Sequence, residues 1–185
     1  KPTENQHRVL AALCASSTAL VTMTKTARER LIAGWGIHPS RVTVITHGAE
    51  DNRADPLDNR PTLGLRPTVL TWGLLGEGKG IEWALRALAQ IADVTPTPQY
   101  RIVGQTHPRV REREGEAYRT MLEREAEHLG VRDHVMFRGQ FVSDDELRSY
   151  LQAADVFVSP YLNEAQVTSG ALSYAMGAGA AVVST

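Results

Sequence analysis

Ala154-Asp155-Val156-Phe157-Val158-Ser159-Pro160 opens a stretch that runs through a polar loop, Tyr161 to Val167, into Thr168-Ser169-Gly170-Ala171 and ends on Ala180-Ala181-Val182-Val183-Ser184. A short apolar run closed by proline reads as a buried parallel strand. Thr168-Ser169-Gly170 can open a helix, because a hydroxyl there accepts from a free N–H group of the first turn. The helix, Ala171 to Met176, is made of small and apolar residues, and Gly177 and Gly179 stop it. The next strand follows at once. In such a unit, the helix start carries free N–H groups and the positive end of the helix dipole, which favour an anion. Ligands of open α/β sheets sit at that same edge. A crossover with no ligand has the same pattern, so both readings stand at this point.

Working outward, the preceding elements repeat the alternation. Ser143-Asp144-Asp145-Glu146 has the spacing of a capping box and starts a helix through Leu147, Tyr150 and Leu151. Val135 to Gly139 reads as a strand. Before it, a polar segment, Gln105 to Arg113, leads to a helix with Tyr118, Leu122, Ala126 and Leu129 in a stripe, ended by Gly130. Tyr100 to Gly104 is a strand. Ile81, Ala84, Leu85, Leu88 and Ile91 form the apolar face of another helix. Thr68 to Trp72 is a strand as well. Ala49 to Pro67 has no apolar periodicity and reads as a linker. Upstream of it come a short helix at Arg8 to Ala15, a strand at Ala19 to Met23, and a helix from Lys25 to about Ala33 capped by Thr24. A strand at Arg41 to Thr46 closes that part. The fold class is therefore α/β, a Rossmann-like parallel sheet flanked by helices. The expected organisation is residues 1–48, a linker at 49–66, and a second domain at 67–185.

Bulk properties narrow the classes. The 185 residues are 42% hydrophobic and 22% charged with a net charge of −1, which suits a globular chain and lacks the basic footprint of a nucleic-acid binder. The arginines between Arg101 and Arg138 alternate with glutamates, as on a solvated helix face. Cys14 is the only cysteine, so no intrachain disulfide can form, and a cytoplasmic setting is expected. No stretch reads as a membrane span or a signal peptide. The chain begins on Lys1 and stops at Thr185 just after a strand, which leads us to expect part of a larger protein.

Gly73-Leu74-Leu75-Gly76-Glu77-Gly78-Lys79-Gly80 is a second anion-site candidate. Its four glycines let backbone N–H groups approach a ligand, and Lys79 adds a point charge. It is neither a Walker loop, lacking Ser or Thr after the lysine, nor a GxGxxG fingerprint. The histidines show no metal-ligand spacing, so no metal site is expected. His47 and His107 follow strands, where a cleft or a plain surface position is open to each. Cys14 reads as buried and inert.

The order of these motifs resembles the donor-binding half of family 4 (group 1) glycosyltransferases of the two-domain GT-B fold. It runs Thr71-Trp72-Gly73 with Lys79-Gly80, then Ile102-Val103-Gly104, His134 to Gly139, Ala154 to Pro160, and Ala175-Met176-Gly177-Ala178-Gly179. Residues 19–23 and 42–48 are similar to the end of that family's N-terminal domain. The resemblance implies a transfer of sugar from a nucleotide-diphosphate sugar to an acceptor hydroxyl, retaining, without bound metal or cofactor. It implies that Lys79 meets the donor's diphosphate, with Ser169 and Gly170 at the helix start, that Gly73 and Gly76 belong to the donor site, and that Thr168 lies with the residues facing the sugar. Phe137, Arg138 and Gly139 would lie along the nucleobase, and Glu164 and Gln166 would face the sugar as catalytic residues. The partners implied are a nucleotide sugar and an unknown acceptor, with peripheral membrane contact left open. The fragment by itself is expected to be inactive.

Three positions depart from the family pattern. Leu74 stands where an arginine is usual, and Gln166 and Tyr174 stand where two glutamates are usual. A phenol cannot accept two ribose hydroxyls as a carboxylate does, which places Tyr174 in an altered donor site. Glu164 can substitute for the first carboxylate if the loop is re-registered. These departures motivate a second reading, a non-catalytic relative that binds a nucleotide or a partner protein. A nucleotide-sugar epimerase is a third reading, without an acidic or histidine cluster to support it.

Overall fold

The structure is a computed structural model describing residues 3–53 and 66–185. The contacts divide the chain into two units, Lys1–Gly48 with Ala165–Ser169, and Ala49–Glu164 with Gly170–Thr185. Residues 54–65 of the expected linker lie outside the described residues.

In the first unit, α1 (Glu4–Ser16) starts at a capping box formed by Thr3 and Gln6. It is longer than the stretch expected from the apolar residues alone, because that box gives the polar first turn its hydrogen bonds. Strands β1 (Leu20–Thr22) and β2 (Val42–Val44) pair in parallel, Val21 opposite Thr43. Between them, α2 (Lys25–Trp35) begins at Thr24, whose Oγ1 accepts from the Ala27 N–H at 3.1 Å, and ends at Gly36 with φ of 61°. Cys14 is buried with Ile37 and Val42.

The second unit carries β3 (Thr68–Trp72), α3 (Ile81–Gln90), β4 (Gln99–Val103), α4 (Pro108–Glu114) and α5 (Ala117–His128). It continues with β5 (Val135–Arg138), α6 (Asp144–Ala153), β6 (Val156–Ser159), α7 (Gly170–Gly177) and β7 (Ala181–Ser184). The five strands form one sheet in the order β5-β4-β3-β6-β7, every pairing parallel. Such a sheet is buried on both faces, which is why its strands are apolar runs rather than alternating ones. Successive residues serve opposite faces. Ile102 joins the core under α3 and α5 with Leu85, Tyr118 and Leu122, while Val103 joins the core of Leu147, Leu151, Phe157 and Ala175. The first strand of the unit sits centrally, and the chain winds outward to one side through β4 and β5, then to the other through β6 and β7. The order reverses between β3 and β6, and the carboxyl edge at such a switch point is where ligands of open α/β sheets bind.

Two expectations are corrected. The segment Gln105 to Arg113 is not merely a polar lead-in, since α4 occupies part of it. Pro108 supplies a first helical residue that needs no N–H partner, and His107 Nδ1 accepts from the Arg109 N–H at 3.2 Å. Ile91 does not complete the apolar stripe of α3. The helix ends at Gln90, and Ile91 is 40% exposed. Among the described residues, no helix is long and apolar enough to cross a membrane.

The β3–β6 seam is short, pairing Val69 with Val156 and Leu70 with Phe157. It is extended toward the carboxyl edge by Thr71, whose hydroxyl donates to the Val158 carbonyl at 2.7 Å and accepts from the Tyr100 hydroxyl at 2.8 Å. Burial pushes the Tyr100 phenol above its ordinary value of 10.0, and burial followed by the Glu82 carboxylate pushes Tyr118 up as well. A raised folded-state value leaves stability intact below the ordinary value and removes it as pH rises beyond, because the unfolded chain releases the proton first. Stability is expected to hold to about pH 9 and then to fall by about 1.4 kcal/mol per pH unit for each of these tyrosines. Urea unfolding at rising pH checks this, with Tyr100→Phe losing less than the wild type between pH 9 and 11.

Candidate functional site

The carboxyl edge of the second unit's sheet gathers the loops that follow β3, β4, β5 and β6. They are bonded to one another in sequence. Gly73 N–H donates to the Val103 carbonyl at 3.0 Å, Leu75 N–H to Gln105 at 2.9 Å, and Gly104 N–H to Arg138 at 2.9 Å. Gly104 has φ of 138°, and a Cβ there would overlap the Gly73 carbonyl. Across the switch, Leu162 N–H donates to the Gly78 carbonyl at 2.9 Å. Gly80, with φ of 64°, caps α3 without a side chain and lies so close to the Pro160 carbonyl that a Cβ would overlap it. The glycines expected to admit a ligand therefore also let the β3 and β6 loops touch.

Lys79 stands on this join. Its ammonium lies 4.1 Å from the centre of the Tyr161 ring, a cation–π contact that holds the charge at the end of β6. Gly76 packs toward Val110 of α4, and the Lys79 N–H donates to its carbonyl at 3.2 Å. Leu74, where the resemblance leads one to look for an arginine, is 38% exposed.

Phe137, Arg138 and Gly139 close β5 at the sheet's edge, where an open cavity of about 430 Å³ is lined by them with Arg119, Met136 and Gln140. The Arg119 and Arg132 guanidinium carbons lie 5.8 Å from the Phe137 ring. Arg138 Nη2 donates to Glu146 Oε1 at 2.7 Å. Tyr174 meets Trp72, the last residue of β3, edge to face with ring centres 5.7 Å apart. It also lines a cavity of about 110 Å³ with Asp144, Asp145 and Arg148. Glu164 is exposed on the turn after β6, and Gly170 begins α7.

Gln166, Thr168 and Ser169 group with the first unit. There Arg30 Nη1 donates to the Ala165 carbonyl at 2.6 Å, and Gln166 Nε2 to the Thr168 carbonyl at 3.0 Å. The cluster that the second unit brings together thus holds Gly73, Gly76 and Lys79, with Phe137 to Gly139 and Tyr174 on either side of them. Gly80, one of the four glycines expected to admit a ligand, belongs to it too, as do Gly104 and Tyr161, to which no site role was assigned from sequence. A glycine directly after Lys79 and one closing Ile102-Val103 were the available signals; nothing in the sequence marks Tyr161. No group of three His, Cys, Asp or Glu side chains able to hold a metal occurs among the described residues.

Residues 66–185 match the family described as glycosyl transferases group 1. The chain belongs to that family. Among curated glycosyltransferase relatives, it is 32% identical over 154 residues to D-inositol 3-phosphate glycosyltransferase of Streptomyces bingchenggensis, covering 78% of this chain and 33% of the relative. It is 26% identical over 161 residues to mannosylfructose-phosphate synthase of Agrobacterium fabrum, covering 83% and 34%. Among solved structures, Anabaena HepE in complex with UDP-glucose superposes with a TM-score of 0.80 at 18% identity, over 99% of this chain and 49% of that one. WaaG, a glycosyltransferase involved in lipopolysaccharide biosynthesis, gives 0.73 at 22% identity, over 98% and 49%. These two structures establish the shared GT-B architecture. The group 1 chain described here spans about a third of the length of its curated relatives and about half of these solved chains.

Proposed function

We propose that the second unit binds the diphosphate of a nucleotide sugar at the β3–β6 switch, and that the protein transfers the sugar to an acceptor hydroxyl. The observation that carries this reading is the join at Lys79: a cation held over Tyr161, where the glycine-rich loop after β3 meets the loop after β6, at the carboxyl edge of the switch where ligands of open α/β sheets bind. The names of the group 1 relatives, all sugar transferases or a sugar-phosphate synthase, and the UDP-glucose bound by Anabaena HepE support the same class of donor.

In the transfer, the acceptor oxygen forms a bond to the anomeric carbon while the bond from that carbon to the diphosphate breaks. The bonding pair leaves with the nucleoside diphosphate, and the acceptor's hydroxyl proton is released. Negative charge therefore grows on the diphosphate as the bond lengthens. Lys79 is suited to stabilise it, because a charge fixed in advance does not have to reorganise during the step. With the lysine carrying that charge, we propose a metal-independent and retaining transfer, with Glu164 facing the sugar. Transfer from radiolabelled UDP-glucose and GDP-mannose by the full-length protein tests the proposal. Labelled product with one donor, lost in Lys79→Ala, is expected; donor bound without transfer to any sugar or polyol acceptor would favour a nucleotide-binding subunit, the reading that Leu74 and Tyr174 suggest.

A further inference from the structure

Ser159 ends β6 at the switch, is 1% exposed, and its Oγ has no hydrogen-bond partner among the described residues. A buried hydroxyl is nearly always paired, so an unpaired one at a ligand edge points to a group that arrives with the ligand. Its surroundings identify that group. Strand alternation puts the Ser159 side chain on the same face as Phe157, which shares a core with Ala175 of α7 and has Ala171 packed against it. Ser159 lies about 6.6 Å further toward the carboxyl edge than Phe157, a distance that a helix covers in about four residues. Since α7 runs back against the strands, that step leads from Ala175 to Ala171, in the helix's first turn. The hydroxyl therefore faces the positive end of α7, a place that favours an anion. Two residues on, Tyr161 holds the Lys79 ammonium at the same carboxyl edge.

We propose that Ser159 Oγ donates a hydrogen bond to a diphosphate oxygen of the nucleotide, making it a third contact for that group beside Lys79 and the start of α7. The inference rests on the donor site proposed above. It has a consequence in the free protein, where the hydroxyl is desolvated without compensation: removing it should not weaken the fold.

Ser159→Ala tests both parts, with Ser159→Cys as a variant of nearly unchanged volume. Thermal melting of the free protein is expected to show the alanine variant unchanged or about 2–4 °C more stable. Calorimetric titration with UDP, GDP and ADP, and with their nucleosides, is expected to show a 5- to 30-fold loss of affinity for the diphosphate that binds. Affinity for the matching nucleoside is expected to stay the same. Wild-type affinity for the diphosphate in both variants would overturn the role of Ser159 and leave the donor site standing. Equal losses for diphosphate and nucleoside would also overturn it, because the effect would then not be at the phosphates. If the wild type binds none of the three diphosphates, the donor-site reading fails and this inference fails with it.

Discussion

Gly80→Ala is expected to destabilise the second unit by about 3 kcal/mol, combining a left-handed backbone strain of about 1–2 kcal/mol with overpacking of similar size. Gly80 has φ of 64°, and its missing Cβ is the space occupied by the Pro160 carbonyl oxygen. That oxygen belongs to the main chain just after β6, so it cannot rotate away as the end of a flexible side chain would. The substitution must part the loops that follow β3 and β6, or tilt the first turn of α3, which Gly80 caps. For a chain of this size the cost corresponds to a melting point lower by roughly 6–12 °C. Gly78→Ala is the informative control. Its φ is 85°, but none of the described residues comes within 4 Å of the added Cβ, so only the backbone strain of about 1–2 kcal/mol applies. Equal effects at the two positions, measured by denaturant unfolding, would mean that contact between the loops does not set the cost.

Lys79→Ala is expected to weaken nucleoside diphosphate binding by 10- to 100-fold, about 1.4–2.8 kcal/mol, the range for a charge-assisted hydrogen bond. Stability should barely change. Lys79 is half-buried and its contact with the Tyr161 ring is worth about 0.5–1 kcal/mol. The affinity loss should shrink as salt is raised, since a partly exposed charge is screened. Lys79→Arg should recover part of the binding, because the charge is kept while the donor geometry changes. A loss of affinity matched by an equal loss of folding stability would contradict a direct role.

The parallel sheet was readable from the chain because it is buried on both faces. Val69-Leu70, Ile102-Val103 and Phe157-Val158 are apolar runs that only such a sheet explains. Helix starts were readable where a side chain caps them, as at Thr24 and Ser143. α4 was not, because its cap is the ring nitrogen of His107, a residue with no strong capping preference, and Val110 is the one apolar residue among its arginines and glutamates after Pro108. Of the candidate site, Lys79 and its glycines were readable as a loop, and the order of motifs gave the family. The contact between Gly80 and Pro160 was not, since a separation of 80 positions in the chain closes only through the strand order. Ser159 was hidden for a different reason: a serine at the end of a strand is unremarkable until its hydroxyl is found buried and unpaired.

The central claim is that the carboxyl edge around Lys79 binds a nucleoside diphosphate. Thermal melting of the 185-residue chain with UDP, GDP and ADP tests it most directly. A nucleotide at about a hundred times its dissociation constant should add roughly 2.7 kcal/mol, a shift of about 5–10 °C. A shift of that size with one nucleotide, cut by Lys79→Ala at the same concentration to about 0.4–1.4 kcal/mol, is the predicted result. A chain that melts cooperatively at the same temperature with all three at millimolar concentration, or a shift that Lys79→Ala leaves intact, would contradict the account.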